Sequence, residues 1–263
     1  MGTLRLGSEV TMKTTTRLVA FIAVLAVVVA ACGSDGASTI ADGKLTICSE
    51  IPYEPFEMDD GSGGYTGFDI ELAEAIAGEM GLDLAVINTG FDGILLEVAS
   101  GGCDMVASAM TITAERAENA SFSDSYFSAD QSLLVLAEMG TPKLSEFGGK
   151  KIGVQSSTTG EAYAKENAPA DTEIVSFESG EDLFLALTSN AVDAILQDLP
   201  VNGYRAQTDS AFSLADTFTT DEQYGFAMAK GSDLVAEVNK ALKTLRDNGT
   251  YGDLHEKYFG TRG

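Results

Sequence analysis

The chain has 263 residues, and its 40 Asp and Glu residues against 16 Lys and Arg residues give a formal charge of −24. A hydrophobic fraction of 44% is too high for a disordered acidic chain and is typical of one or two packed globular units. The acidic balance argues against nucleic acids as partners, because their phosphates are bound by clustered Lys and Arg. One histidine and three cysteines leave little material for a zinc site or a histidine-activated nucleophile. The composition therefore disfavours catalysis, and we expect neither a metal nor a cofactor.

The N-terminal segment has the features of an export signal. A basic region precedes an apolar run over 18–31 that is too short to span a membrane comfortably, and small residues precede Cys32. This pattern resembles a bacterial lipobox, in which cleavage leaves a lipid-bearing cysteine at the new N-terminus. We therefore expect a signal peptide over 1–31 and a lipidated, flexible tether over 32–42. A plain signal peptide or a signal anchor is the alternative, and Met12 opens a more typical signal than the first methionine does.

Two rounds of alternating strands and helices follow. The first round predicts strands over 44–49, 84–87 and 104–108 with helices over 68–80 and 92–100. The second round predicts strands over 151–154, 173–176 and 194–196 with helices over 160–167 and 181–188. This alternation indicates an α/β fold in which each round forms a mostly parallel sheet flanked by helices.

Two further apolar strands, over 131–137 and 223–229, leave the first half and return to it. The terminal helices over 233–247 and 251–259 follow the return and are expected to pack on the first lobe. The sequence thus predicts a discontinuous lobe 1 over 43–134 and 225–263, and a continuous lobe 2 over 135–224. Two crossing strands between lobes are typical of a hinge.

Cys48 and Cys103 are the two cysteines beyond the signal. Cys48 falls near the end of the first strand and Cys103 just before the third, so about four residues of offset at ~3.3 Å each would place them more than about 10 Å apart. A disulfide needs Cα atoms within about 7 Å. We therefore predict two free, buried thiols.

Polar and aromatic side chains collect where the predicted strands end. Ligands of open parallel sheets bind beyond these carboxyl ends. The residues are Glu50, Tyr53, Phe91, Ala109, Thr111, Arg116, Gln155, Thr158, Thr159, Gln197 and Asp198. They combine a guanidinium that suits a carboxylate, acids that suit an ammonium, and apolar walls. The set predicts a cleft between the lobes for a zwitterion.

Structural roles are the alternative for several of these residues. Asp198 could be the N-cap of the helix that follows it, and Thr158 and Thr159 could cap another helix. Tyr53 and Phe91 could be core aromatics, and Arg116 could be a surface residue at a helix start. Only their common position at the strand ends favours a binding role.

Seven motifs resemble the bacterial extracellular solute-binding proteins of family 3, the amino-acid receptors of ABC importers. The resemblance covers about 44–260, and its motifs are Tyr53-Glu54-Pro55-Phe56-Glu57, Gly67-Phe68-Asp69-Ile70-Glu71-Leu72-Ala73, Phe91-Asp92-Gly93-Ile94-Leu95, Thr111-Ile112-Thr113-Ala114-Glu115-Arg116, Phe122-Ser123-Asp124-Ser125-Tyr126, Gly153-Val154-Gln155 with Thr158-Thr159, and Lys257-Tyr258-Phe259-Gly260. It implies a two-lobe, periplasmic-binding-protein-like fold of type II that closes on a free amino acid. One departure is Ser157, which stands where the family usually has glycine.

The resemblance also implies roles for the residues of the cleft. Arg116 is similar to the residue that pairs with the ligand's α-carboxylate, helped by Thr111, Thr159 and the Ala109 backbone, and Asp198 is similar to the partner of the α-ammonium. Tyr53 and Phe91 resemble the walls around the ligand side chain, and Gln155 and Gln197 stand at variable specificity positions. Glu50 stands at the position that reads the ligand side chain.

A buried carboxylate such as that of Glu50 favours a cationic ligand. We therefore expect arginine, lysine or histidine, and then glutamine or cystine. The expected protein is not an enzyme but a monomeric receptor, held by its lipid on the outer face of the cell membrane and handing its ligand to a permease. A dehydratase or lytic enzyme on the same fold is one alternative, and a sensing module for a signalling partner is another.

Overall fold

The computed structural model describes residues 38–263, so the predicted signal peptide, Cys32 and the first part of the tether lie outside the described residues. The strands are β1 (Lys44–Ser49), β2 (Met58–Asp59), β3 (Tyr65–Thr66), β4 (Asp83–Asn88), β5 (Met105–Val106), β6 (Ala120–Phe122), β7 (Phe127–Leu136), β8 (Lys151–Gln155), β9 (Glu173–Phe177), β10 (Ala194–Asp198), β11 (Phe212–Tyr224) and β12 (Ala227–Ala229). The helices are α1 (Phe68–Glu79), α2 (Ile94–Ala99), α3 (Ala114–Asn119), α4 (Thr159–Asn167), α5 (Gly180–Thr188), α6 (Leu199–Thr208), α7 (Leu234–Asp247) and α8 (Thr250–Phe259). Within this part of the chain, no helix is both long enough and apolar enough to cross a membrane.

The first sheet has the order β4-β1-β5-β12-β6. Its strands β4, β1 and β5 are parallel, as the alternation of strands and helices predicts, whereas β12 pairs antiparallel with both β5 and β6. The helices α1, α7 and α8 pack on one another beside this sheet. The C-terminal helices therefore belong with the first half of the chain.

The second sheet has the order β11-β7-β10-β8-β9. Its strands β10, β8 and β9 are parallel, and β7 pairs antiparallel with both β10 and β11. The fold is thus α/β with two mixed sheets, a two-lobe arrangement in which β7 and β11 are the paired connections.

The second connection differs from the single strand expected over 223–229. The structure instead has a long β11, a break at Gly225 and Phe226, and a short β12 in the other sheet. A Cβ atom at Gly225 would lie 2.7 Å from the side chain of Ile112, so glycine allows the close approach that this change of sheet requires.

The prediction of two free thiols is wrong, because Cys48 and Cys103 form a disulfide. Their Cα atoms are 5.8 Å apart. The prediction assumed an extended chain before β5, but β5 begins only at Met105, and Gly101 takes a left-handed conformation (φ 81°) that ends α2 in a turn. The turn brings Cys103 close to β1, and both cysteines are buried in a small apolar cluster.

Candidate functional site

A small cavity lies between the two sheets, where the carboxyl ends of the strands meet. Its volume is about 10 Å³, room for about one water molecule, because side chains from the two sides hydrogen-bond to one another across it. The lining residues are Glu50, Tyr53, Phe91, Ser108, Ala109, Thr111, Arg116, Gln155, Thr158, Thr159 and Asp198. Ten of the eleven residues expected from the sequence are therefore brought together, and Ser108 joins them.

Gln197 is the expected residue that does not line the cavity. Its side-chain amide donates a hydrogen bond to Asn202 of α6 at 2.8 Å. Successive side chains of an extended strand point to opposite faces. Because Asp198 is directed into the cavity, its neighbour Gln197 is directed away from it.

Arg116 supplies the positive charge of the cavity. It lies in the short helix α3, whose N-cap Thr113 accepts a hydrogen bond from the Arg116 backbone N–H at 3.1 Å. Its guanidinium donates to the backbone carbonyls of Thr111, at 2.8 Å, and Ser157, at 2.9 Å, and lies over the Phe91 ring at 5.3 Å. Burial lowers the pKa of Arg116, while the charges of Asp198 and Glu222 oppose this shift. A planar guanidinium held in this way suits a carboxylate.

Asp198 ends β10 and supplies one buried negative charge. Its carboxylate accepts hydrogen bonds from the hydroxyls of Tyr224 and Tyr53 and from the side-chain amide of Gln131. It occupies the N-cap position of α6, but its side chain makes no capping hydrogen bond. Burial raises the pKa of Asp198 to about 6. The carboxylate is therefore available to a cation in the cavity rather than engaged as a helix cap.

Glu50 supplies a second buried negative charge. It follows β1, its backbone N–H donates to Ser108 at 3.0 Å, and its carboxylate accepts a hydrogen bond from the Gln155 amide at 2.6 Å. Burial raises the pKa of Glu50 to about 7, and the nearby charge of Asp182 acts in the same direction. A cationic group beside this carboxylate would offset the desolvation that its ionised form suffers.

The two threonines after β8 have different roles. The Thr158 side chain accepts a hydrogen bond from the Glu161 backbone N–H at 3.1 Å, so it caps α4 as the alternative interpretation supposed. The Thr159 hydroxyl donates to Glu222 at 2.6 Å and lies 3.4 Å from the Thr111 hydroxyl. The backbone N–H groups at the start of α4 border the cavity and favour an anion there.

Several residues of the site were missed by the sequence analysis. The Glu222 carboxylate accepts hydrogen bonds from Thr159 and, at 3.1 Å, from Thr111. Gln131 donates to Asp198 from the middle of β7. Both residues lie within the crossing strands β7 and β11, whereas the residues expected from the sequence lie at or after the ends of strands. Within residues 38–263, no cluster of three or more His, Cys, Asp and Glu side chains could hold a metal ion.

The two lobes and the charged cavity between them define the class of two-lobe ligand-binding proteins. The model of the bacterial extracellular solute-binding proteins, family 3, matches residues 45–261. The chain belongs to this family.

Proteins that are similar to this chain over most of its length are named as arginine-binding or amino acid-binding proteins. The arginine-binding extracellular protein ArtP of Bacillus subtilis is 32% identical over 239 residues, which cover 87% of this chain and 91% of ArtP. A solved ancestral arginine-binding protein bound to arginine is 36% identical, with a TM-score of 0.77 over 83% of this chain and 99% of that one. The ancestral amino acid-binding protein AncCDT-1, a precursor of cyclohexadienyl dehydratase, is 38% identical, with a TM-score of 0.74 over 82% of this chain and 95% of that one.

Proposed function

We propose that this chain is the extracellular receptor of an ABC importer for a basic L-amino acid, with arginine favoured over lysine and histidine, and glutamine and cystine next. The observation that carries the proposal is one enclosed cavity that holds a guanidinium, Arg116, and two buried carboxylates, Asp198 and Glu50. Arg116 would bind the α-carboxylate and Asp198 the α-ammonium. Glu50 would bind a cationic side chain, because its only direct side-chain partner in the described part of the chain is the neutral amide of Gln155.

The remaining expected residues complete the proposed site. Thr111, Thr159 and the Ala109 backbone would assist Arg116, and Tyr53 and Phe91 would form the walls. Thr158 would contribute its backbone at the start of α4. Gln155 would orient Glu50, and Gln197 would act on the site only through its neighbour Asp198. Each charged group thus has a matching group on an amino acid, so binding rather than catalysis is the proposed role.

The proposal extends to the whole molecule. Lobe 1 would cover 43–134 and 225–263, lobe 2 would cover 135–224, and β7 and β11 would be the hinge that lets them close on the ligand. The protein would act as a monomer, held at the outer face of the cell membrane by lipid on Cys32 at the start of a tether over 32–42, after removal of residues 1–31. It would deliver the amino acid to the permease subunits.

A calorimetric panel of free amino acids tests this function. We expect saturable binding of arginine, weaker binding of lysine and histidine, and still weaker binding of glutamine and cystine. Replacing Arg116 by alanine should cost roughly 2–5 kcal/mol, or about 30-fold or more in affinity, because it leaves the ligand carboxylate unpaired. Arg262, whose guanidinium pairs with the exposed carboxylates of Asp253 and Glu256 outside the cavity, offers a matched control. Undiminished arginine binding by Arg116→Ala, or weaker binding by Arg262→Ala than by Arg116→Ala, would contradict the site.

A further inference from the structure

Two acidic side chains are buried directly beneath the cavity without any cationic partner in the described residues. Glu57 and Asp69 are both 0% exposed, and their carboxyl groups lie within hydrogen-bonding reach of one another. Among residues 38–263, no hydrogen bond of good geometry ends on either carboxyl oxygen of Glu57 or on the Oδ1 atom of Asp69. Two ionised carboxylates in such a place would repel each other with little water to screen them. A proton between them removes one charge and lets one Glu57 oxygen donate a hydrogen bond to an Asp69 oxygen.

The surroundings assign this proton to Glu57. Asp69 lies in the first turn of α1, where the helix dipole favours a negative charge. Its Oδ2 atom also accepts hydrogen bonds from the Ala109 backbone N–H, at 2.8 Å, and from the Tyr126 hydroxyl, at 2.6 Å. The Glu57 carboxyl lies near the same Ala109 N–H, but that N–H is directed at Asp69, so Glu57 receives less stabilisation of its charged form. Burial, and then the neighbouring charge of Asp69, raise the pKa of Glu57 well above its ordinary value.

The pair is connected to the cavity by two short paths. Ala109 lines the cavity and has a left-handed backbone (φ 43°), which is uncommon for a residue with a side chain, and its N–H is held by Asp69. Glu57 is joined to Tyr53 by backbone hydrogen bonds in both directions, of 2.8 and 3.1 Å. The carboxylate pair therefore supports the Ala109 backbone segment of the site, while the Glu57 backbone fixes its carboxyl group beside the wall residue Tyr53.

We infer that Glu57 and Asp69 share one proton and, through this neutral-plus-charged pair, position the Ala109 peptide for ligand binding. The positioning role rests on the proposed binding function, whereas the shared proton does not. Other groups act on the pair from every side. They are Glu50, which faces it from the cavity, and the tyrosines Tyr53, Tyr126 and Tyr251, the last of which has the Arg246 guanidinium over its ring.

Three variants of the mature chain test the inference. Glu57→Gln keeps a neutral donor towards Asp69, and Glu57→Ala removes it. As a control, Glu74→Gln removes an exposed acid from α1, the helix that carries Asp69. At about pH 9, where ordinary carboxylic acids are ionised, the infrared spectrum of the wild type should show a neutral carboxylic acid. The band should persist in Glu74→Gln and vanish in Glu57→Gln. In calorimetry, Glu57→Ala should lose about tenfold or more in arginine affinity, and Glu57→Gln should recover most of it.

The possible outcomes separate the two claims. A wild-type spectrum without a neutral acid, or one that Glu57→Gln leaves unchanged, would overturn the shared proton. Equal arginine affinities for Glu57→Ala, Glu57→Gln and the wild type would overturn the positioning role. Thermal unfolding would reveal whether Glu57→Ala folds. If it does not, the arginine affinity of Glu57→Gln decides the question. A loss of affinity in Glu57→Gln as large as that in Arg116→Ala would contradict the inference. A wild type that binds no amino acid would overturn the proposed function while the infrared result still stands.

Discussion

At the residue scale, the two cavity carboxylates make the site sensitive to pH near neutrality. Burial raises the pKa of Glu50 to about 7 and that of Asp198 to about 6. A cationic ligand stabilises the ionised forms, so ligand binding should lower both pKa values and release protons. Protonation of either group before binding therefore opposes the ligand.

Arginine affinity should consequently fall as the pH is lowered from about 8 to about 5, through the window in which the unliganded protein takes up these protons. Calorimetry in two buffers with different ionisation enthalpies measures the affinity and the released protons together. In Glu50→Gln, the fall in arginine affinity near pH 7 should disappear, because Glu50 no longer titrates. The fall near pH 6, which comes from Asp198, should remain. An affinity that does not change across the window would contradict the assignment of both carboxylates.

The site residues that could be predicted lie at or beyond the ends of strands, whereas those that could not lie within strands. Glu50, Asp198 and Arg116 belong to the first group, and the ends of parallel strands meet at one edge of a sheet whatever the details of packing. Glu222 and Gln131 lie within long crossing strands, and whether such a residue faces the cavity depends on twist and register. Strand twist and register depend on tertiary contacts, so they cannot be read from the local pattern of a single sequence.

At the scale of elements, the disulfide joins the end of β1 to the turn before β5. It was missed because the expected distance assumed a straight chain, and the left-handed glycine after α2 shortens the path. Strands and helices follow from apolar periodicity, and most of the predicted ones are present within a few residues. The course of a glycine-containing turn does not follow from periodicity, since glycine has several accessible conformations.

The bond closes a loop with a sequence separation of 55 residues, so its removal should lower the free energy of unfolding by about 2–4 kcal/mol. The test is denaturant unfolding of the Cys48→Ala/Cys103→Ala double variant. In a parallel measurement by mass spectrometry, the native protein should be two hydrogens lighter than its reduced form. A double variant as stable as the wild type would contradict the stabilising effect of the disulfide. Native protein that carries two free thiols would contradict the disulfide itself.

At the scale of the whole molecule, contacts across the cavity hold the lobes together. Residues of the first lobe hydrogen-bond to residues of the second at Tyr53 to Asp198, at Glu50 to Gln155 and at Arg116 to Ser157. These contacts lie in or beside the cavity, so the same groups that would bind the ligand also hold the lobes closed. A ligand that fills the cavity can replace several of them at once, and its binding is thereby coupled to closure.

Ser157 makes a further contact across the lobes, outside the cavity lining. The Ser157 hydroxyl donates to the Asp92 carboxylate at 2.9 Å, and the Ser157 backbone is left-handed (φ 65°), a conformation in which glycine would be less strained but could not make this bond. Ser157 does not line the cavity, so its bond to Asp92 would stabilise the closed arrangement independently of the ligand-binding groups.

Ser157→Ala should weaken closure by ~0.5–1 kcal/mol and so raise the rate of arginine release about two- to fivefold, while the rate of association changes little. Stopped-flow tyrosine fluorescence can measure both rates, because the chain has eight tyrosines and no tryptophan. Ser62→Ala is the matched control, since the Ser62 hydroxyl donates to Asp60 within one exposed loop of the first lobe. Equal release rates for both variants would mean that the bond to Asp92 does not contribute to closure, whereas a slower association alone would place the effect in the open form.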